Sequence, residues 1–184
     1  VDATPTVLLG RAAGYGGVVV GAGDVNGDGF GDALVLGPLR EGAASRVSVF
    51  WGGLTGIGAR PAQVLTEDMA TRAAGAFDVN GDGFADVIVG AHESSPSGRT
   101  IAGSVRVYRG SAQGLSPLAS RTFDGETSGE RLGSSVAALG DVNGDGDEDF
   151  AFGSDGADGA RVVYGSATIE SIALTQVIAG DPTG

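Results

Sequence analysis

A nine-residue segment that occurs three times constrains the fold more than any other feature of the sequence. It reads DVNGDGFGD from Asp24 to Asp32, DVNGDGFAD from Asp78 to Asp86 and DVNGDGDED from Asp141 to Asp149. The copies start 54 and 63 residues apart. Long repeats of this kind are typical of solenoids and propellers, in which each unit buries its apolar surface against its neighbours.

Short apolar runs flank each copy and predict β-strands, because β-branched residues alternate with polar ones and Gly interrupts every helical pattern. Each unit has one run before the nonapeptide, one directly after it, a third beyond a polar loop and a weaker fourth. The predicted strands are 18–23, 33–36, 46–50 and 63–66 in unit one, 73–77, 87–89, 104–108 and 119–123 in unit two, and 136–140, 150–152, 160–164 and 175–179 in unit three.

The predicted fold is all-β, with about three four-stranded propeller blades. Glycine supports many tight turns, since 35 of the 184 residues are Gly against an average of about 7%. We expect one propeller segment over 1–184, with a stray outer strand in 1–12 (residues 6–9), blade 1 at 13–68, blade 2 at 69–127 and blade 3 at 128–184. Three blades leave uncovered edges and faces, so the propeller is incomplete unless it is extended or oligomerised.

Oxygen-bearing side chains recur at positions one, three, five and nine of each nonapeptide, and Gly at position six permits the chain to reverse. Calcium takes about six to eight oxygens, so four side chains, the carbonyl of position seven and one or two waters complete its shell. We therefore expect about three calcium ions, one per loop. The predicted ligands are Asp24, Asn26, Asp28, Phe30 and Asp32 in loop 1, Asp78, Asn80, Asp82, Phe84 and Asp86 in loop 2, and Asp141, Asn143, Asp145, Asp147 and Asp149 in loop 3.

Other interpretations of the nonapeptide are weaker. Asn-Gly and Asp-Gly alone indicate hairpin turns, but a turn has no use for three carboxylates that repel each other without a cation. An EF-hand needs Glu at position twelve, where this chain has Val35, Val89 and Phe152. Magnesium prefers a rigid octahedron that retains water. Zinc is disfavoured because the chain has no Cys and one His.

Charge and composition narrow the function classes. The net charge is -12, and all 11 basic residues are Arg, so we expect no nucleic-acid partner. No apolar run approaches the roughly 20 residues of a membrane span, so we expect no membrane insertion. The absence of Cys removes disulfides and thiolate metal sites. The residues from Val1 onward show no basic n-region or apolar h-region, so a secretory signal is expected to be already removed or outside this sequence.

The pattern D-x-N-x-D-G-x-x-D between two strands resembles the FG-GAP repeat of integrin α-subunit propellers, and the resemblance covers nearly the whole chain. Unit two departs from it, because residues 69–74 contain no Phe-Gly opening. The resemblance implies a ring of seven blades, with calcium in hairpins on the lower face and partners bound by loops on the upper face. The flanking dipeptides that carry it are Tyr15-Gly16, Leu132-Gly133, Gly37-Pro38, Gly90-Ala91 and Gly153-Ser154.

This resemblance favours an extracellular or cell-surface module for adhesion or for binding a protein or glycan ligand, with no catalytic residues. Two alternatives stay open: part of a carbohydrate-active or other hydrolytic propeller, and a purely architectural repeat. Catalysis has little support, because His92, the only His, is expected to be a solvated loop residue. Three blades cannot close a ring, so we expect either a segment of a longer propeller or a homo-oligomer that completes one.

Two local expectations concern packing and affinity. Phe50, Tyr108 and Tyr164 recur near the end of the third strand and are expected in the core, and Trp51 is expected to pack within its blade. Loop 3 carries Asp147-Glu148 where the other loops have Phe-Gly and Phe-Ala. The added negative charge is expected to make loop 3 bind calcium most tightly, although the missing Phe removes an apolar anchor.

Overall fold

The computed structural model describes residues 16–38, 45–67, 69–157, 159–168 and 176–178. Within these ranges the chain forms three separate four-stranded antiparallel sheets, each a simple meander. The strands are β1 Val18–Gly23, β2 Asp32–Pro38, β3 Ser45–Phe50 and β4 Gln63–Glu67 in blade 1, β5 Arg72–Phe77, β6 Asp86–Ala91, β7 Ser104–Tyr108 and β8 Arg121–Asp124 in blade 2, and β9 Leu132–Gly140, β10 Asp149–Ser154, β11 Gly159–Val163 and β12 Gln176–Ile178 in blade 3.

The predicted all-β class with three four-stranded blades is confirmed, and the sheets do not close into a ring. The largest difference is at β9, which begins at Leu132, four residues before the predicted start, because Leu132 and Ser135 pair with Ser154 and Gly153. The predicted stray strand at 6–9 lies outside the described residues, and the blade boundaries stay predictions. The described ranges contain no helix of the length and apolarity that a bilayer crossing requires.

The first strands of the three blades lie side by side, so small residues are needed where they meet. A Cβ placed on Gly75 of β5 would lie 2.8 Å from Ala22 Cα of β1. A Cβ on Gly23 would lie 2.6 Å from Ala85 Cβ. Both separations are far shorter than van der Waals contact, so any larger residue would push neighbouring blades apart.

The hydrophobic core lies between the blades. One buried cluster joins Leu34 and Leu36 of β2 to Val87 and Val89 of β6, and Trp51 packs against this cluster between the blades rather than within its own blade alone. A second cluster joins blades 2 and 3; its main members are Phe77, Ile88, Val105, Val107, Phe123, Phe150 and Phe152. Each sheet therefore contributes one face to each neighbouring blade, as expected for propeller repeats.

The prediction that three aromatic residues share one core position is confirmed for two of them. Phe50 is completely buried and Tyr108 is 2% exposed. Tyr164 is only half-buried and lies one residue beyond β11. In blade 3 the equivalent position belongs to Val163, which pairs with Phe150. The prediction was wrong for Tyr164 because the sequence spacing places it one residue too far along the strand.

A buried polar group joins blade 1 to blade 2. Glu67, at the end of β4, accepts a hydrogen bond from the Tyr108 hydroxyl through Oε1 and one of 2.9 Å from Arg106 Nη1 through Oε2. The side chain of Glu67 is 9% exposed and that of Arg106 is 21% exposed. Burial, and then the hydrogen bond to Glu67, raises the pKa of Tyr108. We call these three residues the Glu67 cluster.

One face of blade 3 is not covered by another blade. Val142 and Ile178 are 56% and 52% exposed. Residues at the equivalent positions of blades 1 and 2 are at most 7% exposed, because the next blade packs on them; they are Val25, Val79, Leu65 and Phe123. The outer face of blade 1 is mixed, since Val35 and Phe50 are at most 2% exposed whereas Val19, which pairs with Val35, is 61% exposed. Among the described residues, blade 3 therefore has an uncovered face, and blade 1 exposes part of its outer face at Val19 and Val64.

Candidate metal centre

The three nonapeptide loops connect the first two strands of each blade and lie at the same end of the sheets. Loop 1 joins β1 to β2, loop 2 joins β5 to β6 and loop 3 joins β9 to β10. All fifteen predicted ligand residues fall within the described part of the chain. The antiparallel pairing of the flanking strands fixes where each loop begins and ends.

Carboxylates at positions one and five organise the backbone of each loop. In loop 1, Asp24 accepts N–H groups from Asp28 at 3.0 Å and Gly29 at 2.7 Å, and Asp28 Oδ1 accepts the Phe30 N–H at 3.0 Å. The Asn26 side chain donates to Asp28 Oδ2 at 2.9 Å. Gly29 has φ +88°, a backbone conformation that favours glycine. Loops 2 and 3 repeat these contacts.

The Asp at position nine closes the loop and ties it to the end of the third strand. Asp32 accepts the N–H of Val25 at 3.0 Å and that of Gly52 at 2.8 Å. Asp86 and Asp149 make the same two contacts in their own blades. The sequence did not predict the second contact, because the distant glycine follows at irregular intervals of 20, 24 and 16 residues.

Position nine is also where burial acts most strongly on a carboxylate. Burial raises the pKa of Asp86 to about 7, although hydrogen bonds from Gly110 and Val79 lower it. Burial likewise raises the pKa of Asp32. A carboxylate in such a position is costly to ionise, and a nearby cation would favour its charged form.

The loop carboxylates are engaged with backbone N–H groups rather than with each other. Within the ranges that the structure describes, no three His, Asp or Glu side chains are gathered tightly enough to hold a metal ion by themselves. A calcium shell does not require this, because it also uses amide, carbonyl and water oxygens. Each carboxylate oxygen has two lone pairs, so one N–H bond leaves capacity for an ion.

One predicted ligand oxygen has no partner. Oδ1 of Asn26 and Asn143 accept backbone N–H groups at 3.0 Å and 2.8 Å. Oδ1 of Asn80, the equivalent atom of loop 2, is buried and has no hydrogen-bond partner. An unsatisfied buried acceptor costs about 1–3 kcal/mol, and a cation would satisfy it. The oxygen-only donor set and this orphaned atom fit a calcium ion.

Neighbouring loops are joined by backbone hydrogen bonds. The Ala85 N–H donates to the Asp24 carbonyl at 2.9 Å, and the Glu148 N–H donates to the Asp78 carbonyl at 3.1 Å. The Glu148 side chain also accepts the Asp78 N–H at 2.7 Å. Position eight of loops 2 and 3 therefore binds position one of the loop before it.

His92 contacts a threonine rather than the nearby Ser94. Its Nδ1 lies 2.8 Å from Thr71 Oγ1, and its side chain is 12% exposed. The expectation of a solvated His92 was therefore wrong, because its ring is bound to Thr71 of the β4–β5 connection. Ser94 Oγ instead lies 2.9 Å from Ser104 Oγ, which donates to Asp124.

The repeat pattern places this chain in a known family. A profile described as FG-GAP-like repeat matches residues 24–89 and 78–152. The chain belongs to the FG-GAP-like repeat family. Among its relatives, this FG-GAP chain is 30% identical to integrin alpha-4 of Xenopus laevis over 76% of its own residues and 31% identical to integrin alpha-IIb of Homo sapiens over 88%. It spans 14% and 17% of the lengths of these relatives.

A third relative shares a higher sequence identity with the chain than the two above. Integrin alpha-7 of Homo sapiens is 37% identical over 58% of the chain, which covers 9% of the relative. The predicted resemblance to integrin α subunits is therefore confirmed, and it concerns a small part of much longer proteins.

Proposed function

We propose that this chain is a calcium-stabilised interaction module of an extracellular or cell-surface protein. The observation that carries the proposal is the unpaired Oδ1 of Asn80, which is buried in a loop that also contains the carboxylates of Asp78, Asp82 and Asp86. Because this oxygen accepts no hydrogen bond and lies in a loop with three carboxylates, a bound cation would satisfy it. The FG-GAP pattern supports calcium as that cation.

Calcium would act here by holding loops whose like charges repel. Eleven of the 23 acidic residues lie in the three nonapeptides. In each loop the Asp residues at positions one, five and nine, the Asn at position three and the carbonyl at position seven would hold the ion. Position nine would transmit its effect, because Asp32 also binds Gly52 at the end of the third strand. The bound ion would stabilise the loops by its positive charge and would not take part in catalysis.

The partner would be a protein or glycan bound by loops at the opposite end of the blades. Loops on a rigid scaffold commonly carry binding function. The longest such connection in the described residues is 92–103, between β6 and β7, which contains a 3₁₀ turn at Pro96–Gly98. Ile101 in this connection is 40% exposed and has φ +51°. An exposed apolar side chain held by the backbone suits recognition of a partner.

Binding arrays of proteins and glycans, each run with excess calcium and with chelator, test this proposal. We expect a ligand that binds in calcium and is lost in chelator, together with no release of cleaved product. Ile101→Ser should weaken that binding while leaving the melting temperature in calcium unchanged. Cleavage of an arrayed glycan would contradict the proposal and favour the hydrolytic alternative; binding that is equal in chelator would remove calcium from it.

Completion of the ring by further copies of the chain stays a prediction. The uncovered face of blade 3, with Val142 and Ile178, is the surface that such a copy would have to cover. On the outer face of blade 1, Val19 and Val64 are the exposed apolar residues that a copy could also cover.

A further inference from the structure

Each of the first two loops lies beneath the position-seven side chain of the following blade. Phe84, at position seven of loop 2, lies over loop 1: a Cβ placed on Gly27 would be 2.6 Å from the Phe84 ring. Asp147, at position seven of loop 3, takes the same place over loop 2. A Cβ on Gly81 would be 2.7 Å from Asp147 Oδ1. Loop 1 is thus covered by an aromatic ring and loop 2 by a carboxylate.

Glu148 adds a second carboxylate to loop 2. Its Oε2 accepts the Asp78 N–H at 2.7 Å, and its own N–H donates to the Asp78 carbonyl. Between loops 1 and 2 the equivalent residue is Ala85. Its N–H donates to the Asp24 carbonyl, but its methyl side chain cannot accept the Asp24 N–H or add a negative charge. Loop 2 therefore has two carboxylates from blade 3 beside its own three.

An independent observation indicates that this acidic surrounding holds a ligand. Asn80 of loop 2 is 7% exposed, and its Oδ1 has no hydrogen-bond partner. In loop 3, by contrast, residues 141–146 are all exposed. No carboxylate from a following repeat reaches loop 3 among the described residues. Loop 2 is thus the most enclosed and the most negatively surrounded of the three.

We propose that Asp147 and Glu148 act on loop 2, the loop of the preceding blade, and make it the tightest calcium site of the chain. The inference rests on the proposed calcium function and replaces the expectation that these residues strengthen their own loop 3. Calcium affinity rises with the negative charge around the site. One unit charge about 8 Å from a divalent ion in a water-like dielectric changes affinity about fivefold.

Nuclear magnetic resonance of the full chain, titrated with calcium after chelator treatment, resolves the loops through their position-six glycine amides. We expect the Gly83 signal to respond at lower calcium than those of Gly29 and Gly146. Asp147→Asn and Glu148→Gln should each raise the apparent Kd reported by Gly83 about fivefold and change the values reported by Gly29 and Gly146 less. Both variants are nearly isosteric, and the Gln oxygen can still accept the Asp78 N–H.

Two further variants keep the test decisive. Glu126→Gln removes the same charge from an exposed side chain at the opposite end of blade 2, so Gly83 should not respond to it. Asp147→Phe restores the residue type that covers loop 1, so it removes the charge in a packing that the chain already uses, should Asp147→Asn fail to fold.

The outcomes separate this inference from the proposed function. If Gly146 responds first, or if the Asp147 and Glu148 variants weaken Gly146 instead of Gly83, these residues serve their own loop and the inference is overturned while calcium binding stands. If no loop glycine responds to millimolar calcium, the proposed function and the inference both fall.

Discussion

Removal of the Glu67 side chain should destabilise the chain by loosening blade 1 from blade 2. Glu67→Ala leaves the Arg106 guanidinium without its anion and the Tyr108 hydroxyl without its acceptor, both in a largely buried site. Breaking a buried ion pair by deleting one partner costs about 3–5 kcal/mol. Because the Arg106 side chain is 21% exposed and water can reach it, we expect the lower end, about 3 kcal/mol.

Two smaller substitutions separate the contribution of the Tyr108 hydrogen bond from that of the Arg106 ion pair. Tyr108→Phe keeps the ring and removes only the hydroxyl that donates to Glu67, so it should cost about 1.5–3 kcal/mol, the range for a hydrogen bond to a charged group. Glu67→Gln keeps an oxygen for Tyr108 and loses the charge that pairs with Arg106. The double variant Tyr108→Phe with Glu67→Gln should cost less than the sum, because the residues share one network.

Urea unfolding in excess calcium, followed by the fluorescence of Trp51, measures these changes, since Trp51 is the only Trp and packs against the core between blades 1 and 2. Glu93→Ala is the matched control: its side chain is 49% exposed, and we expect a change within about 0.5 kcal/mol. A cost below about 1 kcal/mol for Glu67→Ala would refute the reasoning that this cluster joins the blades.

Three further predictions concern close packing, calcium and assembly. Gly165→Ala should cost about 1–3 kcal/mol in urea unfolding, because its Cβ would lie 2.6 Å from the Glu148 carbonyl oxygen and 2.8 Å from that of Val79, whereas Gly31→Ala, with no neighbour within 4 Å, should be neutral; equal costs would contradict this packing. Asp82→Asn should reduce the rise in melting temperature that calcium produces and change stability in chelator by at most about 1 kcal/mol, since the Asn oxygen can still accept the Phe84 N–H and only the bond from the Asn80 side chain is lost; a larger loss in chelator would make its role structural. Light scattering should give the mass of more than one chain if copies cover blade 3, and a folded monomer would contradict self-association.

Local spacing predicted the contacts that lie within a loop. The hydrogen bonds of Asp24 and Asp28 join residues two to five apart, so the D-x-N-x-D-G pattern is enough to place them. The same is true of the strands, because alternation of apolar and polar residues is a local signal. Fold class and the arrangement of each loop could therefore be predicted from the sequence.

Contacts between blades could not be predicted in this way. Asp147 and Glu148 belong to loop 3 in the sequence, which suggested that they serve it, yet the structure places them against Gly81 and Asp78 of loop 2. A repeat contacts its spatial neighbour as closely as itself, and the sequence does not state which neighbour a side chain faces. His92 was missed for a similar reason, since its partner Thr71 belongs to a different strand connection.

Calcium stoichiometry, measured together with thermal unfolding, tests the central claim most directly. The chain is treated with chelator, dialysed to equilibrium against calcium and analysed for bound metal, and its melting temperature is recorded in both states. We predict three bound ions per chain, Kd values of about 0.1 to 1 mM, and a markedly lower melting temperature in chelator. A chain that binds no calcium and melts at the same temperature in both states would contradict the account.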